Sequence, residues 1–261
     1  MNGVTLITCT GGRPESLARC AKYVARFENP DRLSIHWVVV DDGPFINTDA
    51  LPLPDDRKLM YVRPRHRWQP GMNTLAMNLL EAIPFVMHDN ILFIEDDDWY
   101  SPLYMRRQLE LLRGAKIVGE QPSRYYHVPS RRWRVMHGPH ASLCQTGIHA
   151  SLLPLLKSVC ELRPDFVDIR LWNASPLRDR AITRRLDDAT HCVGMKGLPG
   201  RTGIGIGHRP DLGTGWWSDI RDQKLREWLG DGADLYIGPK TSPEHAQDRA
   251  QAAQDASAAR I

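Results

Sequence analysis

The chain has 261 residues, 42% of them hydrophobic and 25% charged, with a formal net charge of +3. This length and composition predict one large soluble domain, or one domain with a small appendage, and exclude the disordered and fibrous classes. No apolar run approaches the roughly 20 residues that a membrane-spanning helix needs, and no basic segment precedes the first apolar run. We therefore expect a cytoplasmic protein without a transmembrane segment or signal peptide.

The first half of the sequence alternates predicted strands and helices. Strands are predicted at residues 4–9, 36–40, 59–62 and 91–94, because these runs are β-branched or continuously apolar. Helices are predicted from Pro14, over residues 71–83 and from Pro102, where apolar side chains recur at helical spacing. This βαβα rhythm predicts an α/β fold with an open, mostly parallel sheet and helices on both faces.

The second half is less regular. Helices are predicted over residues 150–162, 165–173 and 219–229. The glycine-rich, basic stretch 194–215 is predicted to contain no regular element. Residues after about 243 carry few large apolar side chains and are predicted to form a solvent-facing tail.

The five cysteines are scattered along the chain and form no CxxC pair. This pattern argues against a zinc site and against a disulfide scaffold. We therefore expect reduced thiols that lie mostly in the core.

Polar side chains follow three of the predicted strands at the point where each strand ends. These segments are Thr8 to Arg13, Asp41-Asp42-Gly43, and Glu95 to Asp98. In an open parallel sheet, ligands bind outside the carboxyl ends of the strands. The sequence therefore predicts a ligand site formed by these three segments.

The four acids at residues 95–98 are the most informative of these segments. Adjacent carboxylates repel one another, and this group follows a buried strand at the edge of a low-dielectric core. A divalent cation resolves the repulsion, since Mg²⁺ and Mn²⁺ prefer carboxylate and phosphate oxygens. A solvated loop or an acidic helix start is the alternative. The preceding strand and the aromatic pair that follows favour the metal site.

The other two segments are weaker signals by themselves. Asp41-Asp42-Gly43 is also typical of a turn. Thr10-Gly11-Gly12-Arg13 suits a phosphate-binding loop but matches neither a Walker A motif nor GxGxxG. It also lacks the following lysine that nucleotidyltransferases generally need, so that class is the less favoured enzyme.

Taken in order, the segments resemble the family 2 glycosyltransferases with the GT-A fold. The matching pieces lie within residues 3–115: VTLITCTGGRPESL, VVVDDG, GMNTLAMNLLEAI and above all ILFIEDDDWYSPLYM. The resemblance implies a metal-dependent, inverting enzyme that uses Mn²⁺ or Mg²⁺ and a nucleotide-sugar donor, such as a UDP-sugar. It implies one Rossmann-like domain over residues 1–242, with a nucleotide-sugar half at 1–115, an acceptor half at 116–242 and a tail at 243–261.

The same resemblance implies roles for individual residues. Asp97, Asp98 and His208 would hold the metal, with Asp97 as its principal ligand. Asp168 would be the catalytic base, with Asp165 as the alternative base or as a helix cap. The first acid of the motif is glutamate where the family has aspartate, so its side chain reaches further. Nucleotide-sugar contacts are expected from Thr8, Thr10, Arg13, Asp41, Asp42, Gly71, Glu95, Asp96, Arg201 and Arg209.

The acceptor is predicted from a segment, residues 123–134, that interleaves arginines and aromatic rings. Arginines neutralise phosphates and rings stack on bases, so the segment suits a nucleic acid. The favoured acceptor is a hydroxymethyl pyrimidine in DNA, modified by a phage-type enzyme in the host cytoplasm. The alternatives are a glycan acceptor, a solvated loop, and a non-catalytic nucleic-acid-binding protein, which leaves the aspartates unexplained. Predicted acceptor contacts are Trp99, Tyr100, Arg124, Tyr125, Arg131, Arg132 and Trp133.

Overall fold

The computed structural model describes residues 3–184, 190–201, 208 and 213–237, which form two sheets surrounded by helices. The strands are β1 (Gly3–Thr10), β2 (Ser34–Asp41), β3 (Arg57–Val62), β4 (Asn90–Phe93), β5 (Trp99–Tyr100), β6 (Ile117–Gln121), β7 (Ser123–His127), β8 (Arg132–Met136), β9 (Thr146–His149), β10 (Arg180–Arg184), β11 (Cys192–Lys196) and β12 (Trp217–Ser218). The α-helices are α1 (Pro14–Arg26), α2 (Leu75–Ala82), α3 (Tyr104–Leu112), α4 (Leu153–Glu161), α5 (Val167–Ala174), α6 (Gln223–Leu229) and α7 (Asp234–Ile237).

The first sheet has seven strands in the order β10-β6-β9-β4-β1-β2-β3. Strands β4, β1, β2 and β3 are mutually parallel, and β9 runs antiparallel to both β4 and β6. The carboxyl ends of β4, β1 and β2 therefore meet at one edge of the sheet, where the three polar segments follow. The predicted α/β fold with a mostly parallel sheet is confirmed.

Both faces of this sheet are buried, which explains why its strands are continuously apolar. Successive residues of a strand point to opposite faces. On β1, Leu6 packs with the apolar side of α1, whereas its neighbour Ile7 packs with α2, α4 and α5. On β2, Trp37 and Val38 divide in the same way. The sheet is thus covered by helices on both faces.

A second sheet of five short strands, in the order β12-β8-β7-β11-β5, adjoins this edge. Its strand β5 follows the acidic segment directly and pairs with β11, with Val193 opposite Trp99. Behind β5, the ring of Tyr100 packs edge-on against that of Tyr104, 4.9 Å away between centroids. The second sheet therefore fixes the end of the acidic segment to an aromatic core. The sequence did not predict this sheet.

Several predicted helix boundaries were wrong. The helix predicted over residues 71–83 begins at Leu75, because Gly71 has a left-handed φ of +85° and lies in the turn before it. The helix predicted from Pro102 begins at Tyr104. The helix predicted over residues 219–229 begins at Gln223 and is preceded by a short 3₁₀ turn. In each case the first turn has another conformation.

Two further predictions for the second half needed revision. The helices predicted over residues 150–162 and 165–173 are α4 and α5, with the first preceded by a 3₁₀ turn at Ala150–Leu152. The stretch 194–215 was predicted to be irregular, but residues 194–196 belong to β11, held there by pairing with β7. The predicted tail at 243–261 lies outside the described residues.

The cysteines match a further expectation. All five cysteines are free thiols, and four of them are buried. Among the described residues, no helix has both the length and the apolar composition needed to cross a membrane.

Candidate active site

Both ends of the acidic segment, residues 95–98, are hydrogen-bonded to the second sheet. The backbone N–H of Glu95 donates to the hydroxyl of Tyr100, 2.7 Å away. At the other end, Oδ1 of Asp98 accepts the backbone N–H of Met195 at 2.8 Å. These bonds join the segment to β5 and β11. The four acids therefore have fixed positions and separate environments.

Arg13, at the start of α1, bridges the two central acids. Its Nη1 donates to Oδ2 of Asp97 at 2.9 Å, and its Nη2 forms an ion pair with Asp96. The hydroxyl of Thr10 donates to the other oxygen of Asp96 at 2.5 Å. Two charge-assisted contacts from one planar guanidinium hold both carboxylates in place.

The pKa values of the two acids shift in opposite directions, although Arg13 acts to lower both. Burial raises the pKa of Asp96 to about 6, although Arg13 acts to lower it. Burial also acts to raise the pKa of Asp97, but the positive charges of Arg13 and Lys196 lower it to about 2. Asp97 is therefore ionised at neutral pH, and only one of its oxygens is bound to Arg13.

The electrostatic environment of Glu95 differs from those of Asp96 and Asp97. Burial, reinforced by the charge of Asp98, raises the pKa of Glu95 well above its usual range. This carboxyl group therefore holds its proton more strongly than a glutamate in water does. A glutamate at this position thus has a different chemical character from the ionised Asp97.

The carboxylate of Asp41, at the end of β2, is bound entirely by protein groups. Its oxygens accept the N–H of Gly43 at 2.9 Å and Nη1 of Arg63 at 2.8 Å. The hydroxyl of Tyr61 is a third donor. This buried carboxylate holds the loop after β2 in shape.

Asp42 organises a second part of the site. It accepts Nδ2 of Asn78 at 2.8 Å and Nη1 of Arg201 at 2.9 Å, as well as the hydroxyl of Thr74. The guanidinium of Arg201 also lies over the ring of Trp68, 5.3 Å from the ring centroid. Asp42 therefore fixes an arginine that reaches the site from the loop after β11.

A cavity of about 460 Å³ opens at this edge of the sheet, within the roughly 300–1,000 Å³ that small-molecule sites occupy. It brings together residues from segments far apart in the sequence. The predicted site residues that line it are Arg13, Glu95, Asp96, Asp97, Tyr125, Asp165, Asp168, Arg201 and His208.

Other predicted donor and metal residues lie behind or beside this cavity. Thr8 is buried, and its hydroxyl accepts Nε1 of Trp37 at 2.8 Å. Asp98 is buried and faces β11. Gly71 lies in an exposed turn, and Arg209 lies outside the described residues. Thr10 and Asp42 act on the cavity through Asp96 and Arg201, which they bind. Asp41 binds Arg63, which does not line the cavity.

Side chains alternate between the two faces of the β7–β8 hairpin, so only some of the predicted acceptor residues face the cavity. Tyr125 lines the cavity, with Arg134 beside it on β8. Arg124, Arg131, Arg132 and Trp133 do not line it. Arg131 is exposed and pairs with Asp222 at 3.2 Å.

Two aromatic residues from the acceptor prediction are buried in the core, and a third, Trp133, is half-buried against it. Trp99 and Tyr100 are buried in the core, which explains why an aromatic pair follows the acids. Trp133 stacks on Trp217 with ring centroids 6.3 Å apart and packs edge-on against Trp228. The prediction that Trp99 and Tyr100 contact an acceptor is therefore not supported by their burial.

Asp168 and Asp165 differ in their exposure to solvent. Asp168 lies in the first turn of α5, and burial raises its pKa. Asp165 is exposed at the rim, where its carbonyl oxygen accepts Nδ2 of Asn73 at 3.1 Å. Phe166 occupies the N-cap position of α5, so the helix-cap interpretation of Asp165 was wrong. Of the two, Asp168 has the environment of a general base.

Sequence reasoning missed two basic residues that line the cavity, Lys196 and His140. Nζ of Lys196 lies 3.6 Å from Oδ1 of Asp98. Burial acts to lower the pKa of Lys196, but Asp98 and the other acids raise it well above its usual range. The only signal for this residue was a lysine between glycines in the stretch predicted to be irregular.

Two sets of candidate metal ligands lie at the acidic segment. Ligand atoms of Glu95, Asp98 and Cys144 lie within 4.8 Å of one another, although a thiol suits softer metals. On the cavity side, Asp97 is ionised and has an oxygen that Arg13 does not bind. Burial, together with Lys196, lowers the pKa of His208 to about 4, so its imidazole is neutral and able to bind a metal at pH 7.

The fold is similar to that of the glycosyltransferase TarS from S. aureus. The structure of TarS 1-349 in complex with UDP-GlcNAc matches with a TM-score of 0.52 and 12% sequence identity, over 76% of this chain and 60% of that one. Its complex with UDP matches with a TM-score of 0.53 and 14% identity, over 74% and 60%. This chain thus spans less than two thirds of TarS 1-349. The likeness shows a shared GT-A-like fold.

No protein-family model matches the sequence, and no curated protein matches it by sequence.

Proposed function

We propose that the chain is a glycosyltransferase that moves a sugar from a nucleotide-sugar donor to an acceptor hydroxyl. One observation carries the proposal: ionised Asp97 and half-buried Asp168, from different halves of the chain, line one cavity at the carboxyl edge of a GT-A-like sheet. Asp97 can hold the metal that binds the charged diphosphate, and Asp168 can remove the proton from an acceptor hydroxyl. Sugar transfer needs both.

The proposed donor is a UDP-sugar, since the similar TarS structures contain UDP-GlcNAc and UDP. Its charged diphosphate requires cationic groups, and Arg13, Arg201 and Lys196 all line the cavity. Asp42 holds Arg201 over Trp68, which keeps that guanidinium extended toward the donor. Arg13 therefore acts on the donor from the first half of the chain, and Lys196 and Arg201 act on it from the second half.

The proposed cofactor is Mn²⁺ or Mg²⁺, held by Asp97 with His208, and with Glu95 close by. Bound there, the cation supplies Lewis-acid stabilisation of the leaving diphosphate. Arg13 keeps Asp97 ionised and correctly oriented, and it leaves one carboxylate oxygen available. Asp98 serves the same site indirectly, because its bond to Met195 fixes the acidic segment.

Asp168 is the proposed base. Its carboxylate takes the proton of the acceptor hydroxyl as the acceptor oxygen bonds to the anomeric carbon of the sugar. The bond from that carbon to the diphosphate breaks, and its electron pair leaves with the diphosphate. Burial raises the pKa of Asp168, which brings it closer to the working pH and makes proton transfer more favourable. A single displacement of this kind inverts the anomeric centre.

The acceptor predicted from the sequence is a hydroxymethyl pyrimidine in DNA. Tyr125 and Arg134 support a base-sized acceptor, because a ring for stacking and a guanidinium for phosphate lie together at the cavity wall. A glycan acceptor, which stacks on the same ring, is the alternative. Transfer to hydroxymethylated DNA and transfer to simple glycans distinguish the two.

The experiment is a transfer screen with UDP-sugars and Mn²⁺, with hydroxymethylated DNA and simple glycans as acceptors. Asp168→Asn should retain donor binding and lose roughly 10²- to 10⁴-fold in transfer rate. The matched control is Asp165→Asn, which removes a carboxylate two residues before α5 and should retain most of the rate. The proposal fails if the wild-type protein neither binds nor turns over any nucleotide sugar.

A further inference from the structure

The ring of Tyr125 has a fixed place in the cavity wall. Tyr125 lies on β7, is half-buried and lines the cavity. Strand pairing places it opposite Gly194 on β11. A Cβ added to Gly194 would lie 2.5 Å from Cδ1 and 2.9 Å from Cε1 of the tyrosine ring. The ring therefore occupies the space that a side chain at this position of β11 would fill.

A chain of hydrogen bonds runs inward from the hydroxyl of Tyr125. This hydroxyl is bonded to Oγ of Ser142. Oγ of Ser142 donates to Oγ of Ser123 at 3.1 Å, and Oγ of Ser123 donates to Oε1 of Gln145 at 2.7 Å. Ser123, Ser142 and Gln145 are all buried. The chain thus connects the cavity wall to the interior of the protein.

The direction of these bonds follows from the number of hydrogens. A hydroxyl group has one hydrogen to donate, and the carbonyl oxygen of a side-chain amide only accepts. Ser123 donates its hydrogen to Gln145 and Ser142 donates its hydrogen to Ser123, so Tyr125 must donate to Ser142. Burial raises the pKa of Tyr125, so its hydroxyl keeps the proton that this bond needs. The only donor of the Tyr125 side chain is therefore bound by the protein itself.

We propose that Ser142, Ser123 and Gly194 are positioning residues that hold the ring of Tyr125 as a stacking surface for the base of the acceptor substrate. The proposal rests on the proposed function and deepens it. With its hydroxyl hydrogen bound to Ser142, Tyr125 offers the substrate a ring face and no O–H donor. A pyrimidine base suits such a surface because it stacks through its flat π face, whereas a sugar carries hydroxyl groups that need polar partners.

Two separate contacts restrict the ring before the substrate binds. Gly194 allows it to lie close against β11, and Ser142 holds the hydroxyl. A side chain that is already ordered loses less conformational entropy on binding than a mobile one, which favours affinity. Loss of either contact should therefore weaken binding of the base and leave binding of the donor unchanged.

The test measures two binding constants for each variant. Fluorescence anisotropy follows an oligonucleotide that contains hydroxymethylcytosine, with UDP and Mn²⁺ present, and calorimetry follows UDP. Tyr125→Phe keeps the ring and removes the hydroxyl, and Ser142→Ala removes the partner of that hydroxyl. Each should weaken oligonucleotide binding roughly 3- to 10-fold and leave UDP binding unchanged. Tyr125→Ala removes the ring itself and should weaken oligonucleotide binding roughly 10- to 100-fold.

The matched control is Ser158→Ala, which removes an exposed hydroxyl on α4 and should match the wild type in both measurements. Ser142→Thr keeps the hydroxyl and should recover most of the wild-type affinity. Gly194→Ala, which pushes the ring from its place, should show the same selective loss as Tyr125→Phe.

A double-mutant cycle separates positioning from a general loss of stability. Tyr125→Phe and Ser142→Ala remove the same hydrogen bond, so the double variant should bind the oligonucleotide no more weakly than Ser142→Ala alone. Unchanged oligonucleotide binding in both single variants, or losses that add in the double variant, would overturn the positioning role. If Ser142→Ala does not fold, unchanged binding in Tyr125→Phe is sufficient to overturn it.

The same measurements distinguish this proposal from the proposed function. A wild-type protein that binds UDP but not the oligonucleotide would overturn the role of Tyr125 and leave the glycosyltransferase function in place. A wild-type protein that binds no nucleoside diphosphate would remove the proposed function, and the role of Tyr125 with it.

Discussion

Replacing Arg13 with glutamine removes the bridge between Asp96 and Asp97, and its cost can be worked from the structure. The arginine side chain is 13% exposed, and those of the two acids are 0% and 11% exposed. Removing one partner of such a buried pair costs about 3–5 kcal/mol, and two charged hydrogen bonds of about 1.5–3 kcal/mol each agree with that range. We expect the free energy of unfolding to fall by about 4 kcal/mol at pH 8.

The loss should depend on pH. A carboxylate whose pKa is higher in the folded protein than in the unfolded chain destabilises the fold above that folded pKa. Burial raises the pKa of Asp96 to about 6 while Arg13 is present, and loss of Arg13 raises it further. At pH 5 the folded variant therefore carries a protonated Asp96 and avoids much of the cost. Arg13→Gln should lose clearly more stability at pH 8 than at pH 5.

Urea denaturation, followed by circular dichroism in EDTA at both pH values, measures this difference. Arg106→Gln is the matched control, because Arg106 is 51% exposed and its ion pairs lie on the surface. Surface pairs contribute about 0–1 kcal/mol, so the control should show little change. A loss below about 1 kcal/mol at pH 8, or an equal loss at both pH values, would refute the reasoning.

Three other predictions follow from the same site. Transfer activity should fall as the pH is lowered, with an apparent pKa above the usual aspartate value, because Asp168 must be ionised to act and burial raises its pKa. A profile of kcat/KM from pH 4 to pH 8 checks this. An apparent pKa at or below about 3.9 in that profile contradicts it. EDTA should abolish transfer and Mn²⁺ should restore it, whereas an unchanged rate in EDTA would exclude an essential, exchangeable metal at Asp97. Gly43→Ala should destabilise the fold by about 1–3 kcal/mol or more, since the new Cβ would lie 2.1 Å from the backbone nitrogen of Gly12. Gly114→Ala is the control, because the nearest atom to its new Cβ would be 3.9 Å away. Thermal unfolding compares the two variants, and equal melting temperatures would contradict the clash.

The parallel sheet was predictable because short runs of consecutive residues identify its strands. Runs such as Val38-Val39-Val40 are apolar on both faces, and the residues that end them are polar. Since parallel strands share one carboxyl edge, three segments of sequence were enough to predict one site. Helix starts were less predictable, as at Gly71, where a left-handed turn delays α2 until Leu75.

The second sheet and its contribution to the site depend on pairing between distant residues. Lys196 reaches Asp98 only because β11 pairs with β5, which joins segments almost one hundred residues apart in the sequence. Nothing local distinguishes this lysine from one in a flexible loop. For the same reason, the four acids look equivalent in sequence. In the structure, Arg13 binds Asp96 and Asp97, β11 binds Asp98, and Glu95 is bonded through its backbone to Tyr100.

The central claim is that Asp97 and its surroundings form a metal-dependent site for a nucleotide sugar. Calorimetric titration of UDP-GlcNAc and related UDP-sugars into the wild-type protein, with and without Mn²⁺, tests it most directly, with Asp97→Asn in parallel. We expect saturable binding that Mn²⁺ strengthens in the wild type and does not strengthen in a folded Asp97→Asn variant. Absence of binding to the wild type in Mn²⁺, or an identical Mn²⁺ effect in both proteins, would contradict it.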